Sequence, residues 1–339
     1  MTTVPELVIP TDLEWAREWR RDRRIARLHD PELPLTVALV TDGSRLGTAD
    51  VLRDAGVEVA GLLGPEPPES LVWAAEAGVA RAYSDFRALL SDRVEAICIE
   101  VSPPGSDRIA LRAVQAEMHV LLSRPDTADA EIPLDIAERA ERAEVAHLVA
   151  FDSRAWPAAW HVRARADSLG RITQVTVLGA PAGQLGRTEI MDLIVRWCGE
   201  IAAVCADPDA MPARELAPGA PVTLALLSAS GTTILINETS AGRIGTAQVT
   251  LCGTRARAVV SGRRTLRQDP DGVRELVLTE VPSDRPGLTE ATYDLVRAVE
   301  LGGPRSDGAR GGTYYDLHSV TRLLAAATQS EQSGGWVEL

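Results

Sequence analysis

The sequence predicts an α/β protein in two parts, a Rossmann-type doubly wound parallel sheet followed by an α+β domain on an open, mainly antiparallel sheet. Three observations lead there. Residues 35–40 (LTVALV), 57–63 (VEVAGLL) and 94–101 (VEAICIEV) are short, mostly apolar runs, as in parallel strands covered on both faces. Helical stretches of about ten residues lie between such runs, the grammar of a parallel sheet. Beyond about residue 155 the strands alternate apolar with polar residues and are joined by turns, which marks an antiparallel sheet with one face open.

Residues 1–34 read as an N-terminal helical extension: a Pro-containing start, then a helix opened by Thr11 or Asp12, with Trp15 and Trp19 on one face. Arg17, Arg20, Arg21, Arg23, Arg24 and Arg27 interleave with five carboxylates, the pattern of a solvated helix rather than a nucleic-acid arm. The two tryptophans need a surface to cover, either the body of the same subunit or a partner subunit.

Residues 35–155 form the Rossmann part. The first strand runs into the loop Thr41-Asp42-Gly43-Ser44-Arg45-Leu46-Gly47, then a helix through Arg53 and a second strand at 57–63. A helix near 69–77, the Gly78-Val79-Ala80 connection to Tyr83 and a helix at 85–90 precede the strand 94–101, which ends at Ser102-Pro103-Pro104-Gly105. Helix 106–116, strand 119–122, the junction Ser123-Arg124-Pro125, helix 133–143 and strand 147–151 complete the pattern.

Residues 156–330 form the second domain and 331–339 a tail. Gly170-Arg171-Ile172 opens an alternating strand. Residues 222–228, 232–238 and 246–251 are three more, separated by Ser230-Gly231 and Ala241-Gly242 turns and joined by no helix, so an antiparallel meander is expected. Helices at about 289–301 and 313–327 close the domain.

Composition excludes several chemistries. All 35 basic residues are arginine, so the chain offers no lysine for a Schiff base, for proton transfer or for a Walker-type phosphate loop. A net charge of -13 argues against nucleic acid and against anionic membrane. No signal-peptide pattern opens the chain, and no run reaches about 18 uninterrupted apolar residues, so a cytoplasmic location is expected. Cys98, Cys198, Cys205 and Cys252 show no metal spacing and read as thiols serving as small hydrophobes; no metal and no disulfide are expected.

The order of these junctions resembles the glucose-fructose oxidoreductase, inositol dehydrogenase and MocA (Gfo/Idh/MocA) family over roughly residues 35–330. The residues that carry the likeness are Gly43 to Gly47, Ser102-Pro103-Pro104, Val120 to Pro125, Gly170-Arg171-Ile172, the helix Gly186 to Arg196, and Gly311 to Leu317. The resemblance implies an NAD(P)-dependent oxidoreductase acting on a sugar, polyol or related hydroxyl compound. Cofactor would sit on the Rossmann half, with substrate in the cleft between it and the open sheet. The cofactor-binding positions it implies are Gly43, Ser44, Arg45, Leu46, Gly47, Ser102, Pro103 and Arg124. Homo-oligomerisation through the second domain's sheet is also implied.

Several positions depart from the family pattern. The fingerprint G-x-G-x-x-G uses glycines for the tight turn and for close approach to the pyrophosphate. Laid onto this loop it meets Asp42, Ser44 and Gly47. The acid that would bind the adenosine ribose is replaced by Gly64, with Glu66 two residues on, which favours a phosphorylated ribose or loss of the cofactor. The family lysine falls at Arg124; its D-x-x-x-H pair is laid on Asp192 and Arg196. Arginine can hold an anion but cannot relay a proton. Asp192, Arg196 and Arg124 are therefore the candidate catalytic residues, with His161, Tyr293, Tyr314 and Tyr315 as further acid/base candidates. Asp192 and Arg196, at i and i+4, could equally be a structural ion pair, or Arg124, Arg196 and Arg187 could line a cationic cleft for a carboxylate or phosphate.

Three functions fit these residues: an NAD(P)-binding oxidoreductase with non-standard chemistry, a non-redox enzyme for cyclisation, elimination or isomerisation of an anionic substrate, and a catalytically inactive subunit that pairs with an active enzyme.

Overall fold

The apolar runs of the first half become the buried centre of a parallel sheet, and the alternating runs of the second half become a sheet with one open face. The computed structural model describes all of the chain except residues 1–5, 9–11, 31–32, 44–46, 157–161, 163–165, 182–183, 208–222, 240–246, 262–263, 270–271, 278–284 and 304–310. In chain order the elements begin β1 (Glu6–Val8), α1 (Leu13–His29), β2 (Thr36–Thr41), α2 (Thr48–Asp54), β3 (Glu58–Leu63), α3 (Pro67–Glu76), β4 (Arg81–Tyr83) and α4 (Phe86–Leu90). They continue with β5 (Ala96–Glu100), α5 (Gly105–Gln115), β6 (His119–Leu122), α6 (Ile132–Arg142), β7 (His147–Val149), a 3-10 turn (Asp152–Ala155), α7 (Ala166–Leu169), β8 (Ile172–Pro181) and α8 (Gln184–Cys198). The remainder is β9 (Ile201–Asp207), β10 (Thr223–Ser228), β11 (Thr233–Thr239), β12 (Gln248–Gly253), β13 (Arg257–Ser261), β14 (Arg264–Asp269), β15 (Gly272–Val277), α9 (Pro286–Glu300), β16 (Gly312–Thr313), α10 (Tyr314–Ser333) and β17 (Val337–Glu338).

Two compact units result, Met1–Phe151 with Ser283–Tyr315, and Asp152–Pro282 with Asp316–Leu339. The change of grammar near residue 155 falls close to this division. The segment Ser283–Tyr315, expected in the second domain, belongs to the first unit. The reason is apolar: Leu288, Ala291, Leu295, Ala298 and Val299 of α9 join the core of β2, β3 and β5.

In the first unit the strand order is β1-β4-β3-β2-β5-β6-β7-β16, parallel except for β16. β2 and β5 are buried at every residue, as strands covered on both faces must be. The strand order reverses direction between β2 and β5, and in open α/β sheets ligands bind at the carboxyl ends of strands around such a point.

The extension is built into this unit. β1 adds a parallel edge strand to β4, an element the sequence pattern did not reveal. α1 is capped by Asp12, whose Oδ1 accepts from the Glu14 N–H at 2.9 Å. Its arginines, expected in solvent, dock it. Arg20 is buried and donates to the carbonyls of Val94 (2.7 Å), Leu90 (2.7 Å) and Ala116 (3.0 Å). Arg27 pairs with buried Glu95 at 2.6 Å. Those carbonyls lie at loop and helix ends where no ladder partner exists, so a guanidinium fork satisfies several at once. Trp15 stays partly exposed, with the Arg93 guanidinium 5.1 Å from its ring.

In the second unit the order is β15-β14-β13-β12-β8-β11-β10-β9-β17. The expected meander of three strands is corrected: β10 and β11 pair antiparallel, but β8 lies between β11 and β12, parallel to the first and antiparallel to the second. The meander is instead β12 to β15. Ile190, Met191, Leu193 and Ile194 of α8 pack with Val175, Val177, Ile234 and Ile236 of the sheet. The other face carries exposed Leu178, Leu227 and Leu235. No helix among the described residues is long and apolar enough to cross a membrane.

Candidate functional site

In the first unit a cavity of about 390 Å³ opens at the carboxyl ends of β2, β3, β4 and β5. Val40, Leu63 and Ile109 give it apolar walls, Gly64 a stretch of bare backbone, and Arg108 and Arg112 of α5 two cations. Arg112 lies over the Phe86 ring at 5.0 Å. Gly43 turns the chain at φ +80°, and a Cβ there would fall 2.4 Å from Cζ2 of Trp73. The same indole lies 2.9 Å from the place a Cβ on Gly64 would take. Trp73 thus fits only because both loop positions are glycine. Asp42 and Glu66 also line the cavity.

Beside the cavity the strand ends are tied by a buried ion pair. Arg285 donates from Nη1 to Glu100 Oε2 at 2.5 Å and from Nη2 to Glu100 Oε1 at 3.2 Å. Thr48 Oγ1 donates to the same carboxylate at 2.7 Å, and Arg285 also reaches the Ser123 carbonyl at 3.2 Å. Helix α2, strand β5 and the end of β6 are fixed together by one guanidinium. Neither Arg285 nor buried Glu100 was singled out in the sequence, because the partners lie 185 residues apart.

Of the cofactor-binding positions the sequence indicates, Ser44, Arg45 and Leu46 lie outside the described residues. Gly43 and Gly47 flank them, with Gly47 at the start of α2. Ser102 and Pro103 follow β5, and the Ser102 carbonyl accepts from the Gly105 N–H at 3.1 Å as α5 begins. Arg124 is half-buried after β6, with its Nε out of solvent and without a hydrogen-bond partner. Tyr314 is buried and burial holds its phenol well above the usual range, which makes it a poor proton carrier near neutrality. Tyr293 is exposed, and burial with Glu141 nearby raises half-buried Tyr315. His161 lies outside the described residues.

The second unit gathers charged groups on α8. Asp192 is buried, and its carboxylate is held by Arg154, not by Arg196: Nε to Oδ2 at 2.8 Å and Nη2 to Oδ1 at 2.5 Å. Arg154 also meets Asp316 at 3.0 Å. Burial alone would lower the Arg154 pKa, but the two aspartates outweigh it and raise it, so the guanidinium stays charged. Arg187 is also matched, to Glu238 at 2.8 and 3.1 Å and to Glu331 at 2.9 Å, so its charge is not offered to a cleft. Arg196 is half-buried on the last turn of the helix.

Three residues before Asp192, Glu189 is buried and accepts from the backbone N–H groups of Asp152 (3.1 Å) and Ser153 (2.8 Å). Burial, with the charge of Asp152 and more weakly of Asp192, pushes its carboxyl up to about 8 against hydrogen bonding from Ser153. Sequence reasoning missed it. The available signal was a second carboxylate one turn from Asp192 on a helix otherwise apolar there.

Such a sheet order followed by an open mixed sheet defines a Rossmann-type two-domain α/β fold. Residues 43–151 match the Gfo/Idh/MocA family model, described as an oxidoreductase family with an NAD-binding Rossmann fold. Among solved structures the chain is similar to an NAD-binding oxidoreductase from Klebsiella pneumoniae, at 20% identity and TM-score 0.78, covering 90% of this chain and 98% of that one. An oxidoreductase from Agrobacterium radiobacter in complex with NAD+, L-tartaric acid and magnesium matches at 16% identity and TM-score 0.75, over 90% and 98% of the two chains. Levoglucosan dehydrogenase in complex with NADH and levoglucosan matches at 18% and 0.75, over 90% and 99%. No curated protein matches the sequence. Over residues 43–151 the chain thus matches the Gfo/Idh/MocA Rossmann fold, and over nine-tenths of its length it shares the fold of these solved oxidoreductases.

Proposed function

We propose that this protein is an NAD(P)-dependent oxidoreductase with altered proton-transfer chemistry, acting on a small hydroxylated compound that carries a carboxylate or phosphate. The observation that carries this reading is the cavity at the carboxyl ends of β2 to β5, whose apolar walls and bare Gly64 backbone suit an adenosine. Gly64 offers no carboxylate to a ribose diol, and Arg108 and Arg112 place two cations in a lining that also holds Asp42, Glu66 and Asp85, so the preference for NADP over NAD rests on those two arginines. When bound, the nicotinamide would supply the hydride acceptor or donor. Gly43 and Gly47 would let the loop backbone approach the pyrophosphate, with Ser102, Pro103 and Arg124 beside the reactive end.

Arg124 and Arg196 stand where the resemblance expects lysine and histidine, and an arginine in either place carries a fixed positive charge and moves no proton. Asp192, with both oxygens on Arg154, positions that guanidinium. Glu189 is then the group in this set that exchanges a proton near neutral pH. L-Tartaric acid in the Agrobacterium complex belongs to the same chemical class as the proposed substrate. Self-association through the face bearing Leu178, Leu227 and Leu235 completes the reading.

Calorimetric titration with NAD+, NADP+, NADH and NADPH tests it. One phosphorylated cofactor bound per chain is expected, with turnover of simple polyols well below about 1 per second. Absence of binding by all four would end the reading.

A further inference from the structure

A cavity of about 480 Å³ lies wholly within the second unit, at the C-terminal end of α8. Trp197, which lines it, is eight residues beyond Glu189, or about 12 Å along the helix. The oxidoreductase chemistry proposed above makes no use of it.

Its walls are built rather than incidental. Gly170, at φ +74°, leaves room for the neighbouring loop: a Cβ there would lie 2.4 Å from Thr254 Oγ1 and 3.0 Å from Arg255 Cγ. The Arg171 N–H donates to Thr254 Oγ1 at 3.1 Å, the Thr254 N–H to the Arg171 carbonyl at 3.0 Å, and the Arg255 N–H to the Leu169 carbonyl at 2.9 Å. Arg171 and Arg255 therefore rise from one stapled pair of loops. In the same lining, buried Thr232 donates to the Ile172 carbonyl at 2.8 Å and its N–H to Ser228 Oγ at 2.9 Å, which fixes the turn that carries Ser230.

The charge is unbalanced. Arg154, Arg187 and Arg285 each have carboxylate partners, whereas among the described residues neither Arg171 nor Arg255 forms an ion pair. Asp167 is the one carboxylate in the lining. Two arginines and a tryptophan in one lining match a ligand with an oxyanion and a flat apolar body. The volume lies in the range of small-molecule sites. We propose that this cavity is a second ligand site, specific for a small organic oxyanion, a carboxylate or phosphate ester, seated on Arg171 and Arg255 with its apolar part against Trp197.

The test is calorimetry on the full-length protein at low ionic strength without nicotinamide cofactor, with benzoate and phenyl phosphate as probes. Saturable binding of at least one probe is expected, with Kd raised tenfold or more in Arg171→Gln/Arg255→Gln. Ser230→Asp, on the exposed turn, adds a carboxylate at the rim and should weaken binding to a similar degree. Both variants should keep the wild-type NADPH titration, which separates this site from the cofactor site. No saturable binding of either probe, or binding unchanged in both variants, would overturn the proposal.

Discussion

Arg154 and Asp192 face each other through two parallel hydrogen bonds, with 3% and 2% of their side chains exposed. Arg154→Ala strands the Asp192 carboxylate in a place water does not reach, whereas in Asp192→Ala the guanidinium keeps Asp316 at 3.0 Å. Arg154→Ala should therefore lower the unfolding free energy by about 3–5 kcal/mol and Asp192→Ala by less, while the paired replacement Arg154→Met/Asp192→Leu should cost markedly less than the sum of the two. Urea denaturation of the three variants measures this. Losses below about 1 kcal/mol in both single variants would mean that the pair is solvated.

Glu189 makes stability depend on pH in an unusual direction. Its folded carboxyl titrates at about 8, above the ordinary range near 4.3, so between these values the folded state holds a proton that the unfolded state has released. The stability this group contributes is full below about pH 4 and is lost as pH rises towards about 8. Glu189→Gln should flatten the fall in urea midpoint over that window. Equal slopes in the two proteins would show that Glu189 is ionised throughout. If the variant also binds NADPH as wild type does, the limb with its midpoint near pH 8, falling with pH for reduction and rising with pH for oxidation, should disappear with it.

Much of the fold was legible because its signals are local. The runs at β2, β3 and β5 are mostly apolar and short, and Asp85 caps α4 by accepting from the Ala88 N–H at 2.9 Å. The insertion of β8 between β11 and β12 was not legible, since alternation defines a strand's buried face but not its neighbour. Three-residue β1 is too short to show a period at all. The arginines of α1 looked solvated because charge patterning says nothing of unpaired carbonyls elsewhere, here those of Leu90, Val94 and Ala116. The site divided in the same way. Asp192 stood out through the family's D-x-x-x-H pair, but its partner lay 38 residues back, and Arg187 looked available because Glu238 and Glu331 are remote in sequence.

Gly43 and Trp73 provide a coupled test of the loop before α2. A methyl group on Gly43 would overlap the indole and would sit on a backbone at φ +80°, so Gly43→Ala should destabilise by about 1–3 kcal/mol. Trp73→Leu removes only the overlap. In the double variant the glycine substitution should therefore cost less than in the wild-type background, with a remainder of about 1 kcal/mol from the positive φ alone. Equal costs in both backgrounds would mean that the indole does not cover Gly43.

The proposed preference for a phosphorylated cofactor rests on the two arginines of α5. Arg108 and Arg112 line the cavity from exposed positions one turn apart, so neutralising them leaves the core of β2, β3 and β5 untouched. A ribose phosphate held by both guanidinium groups would lose about tenfold in affinity for each arginine removed, near 1.4 kcal/mol apiece. Arg108→Gln/Arg112→Gln should therefore raise the Kd for NADPH by about a hundredfold and leave the Kd for NADH within about threefold. The converse variant, Gly64→Asp, supplies the missing carboxylate but drives its Cβ onto Trp73, so it should improve NADH binding only when Trp73 is also reduced to leucine. An equal loss for both cofactors in the arginine variant would assign the two cations to the shared pyrophosphate instead of the ribose.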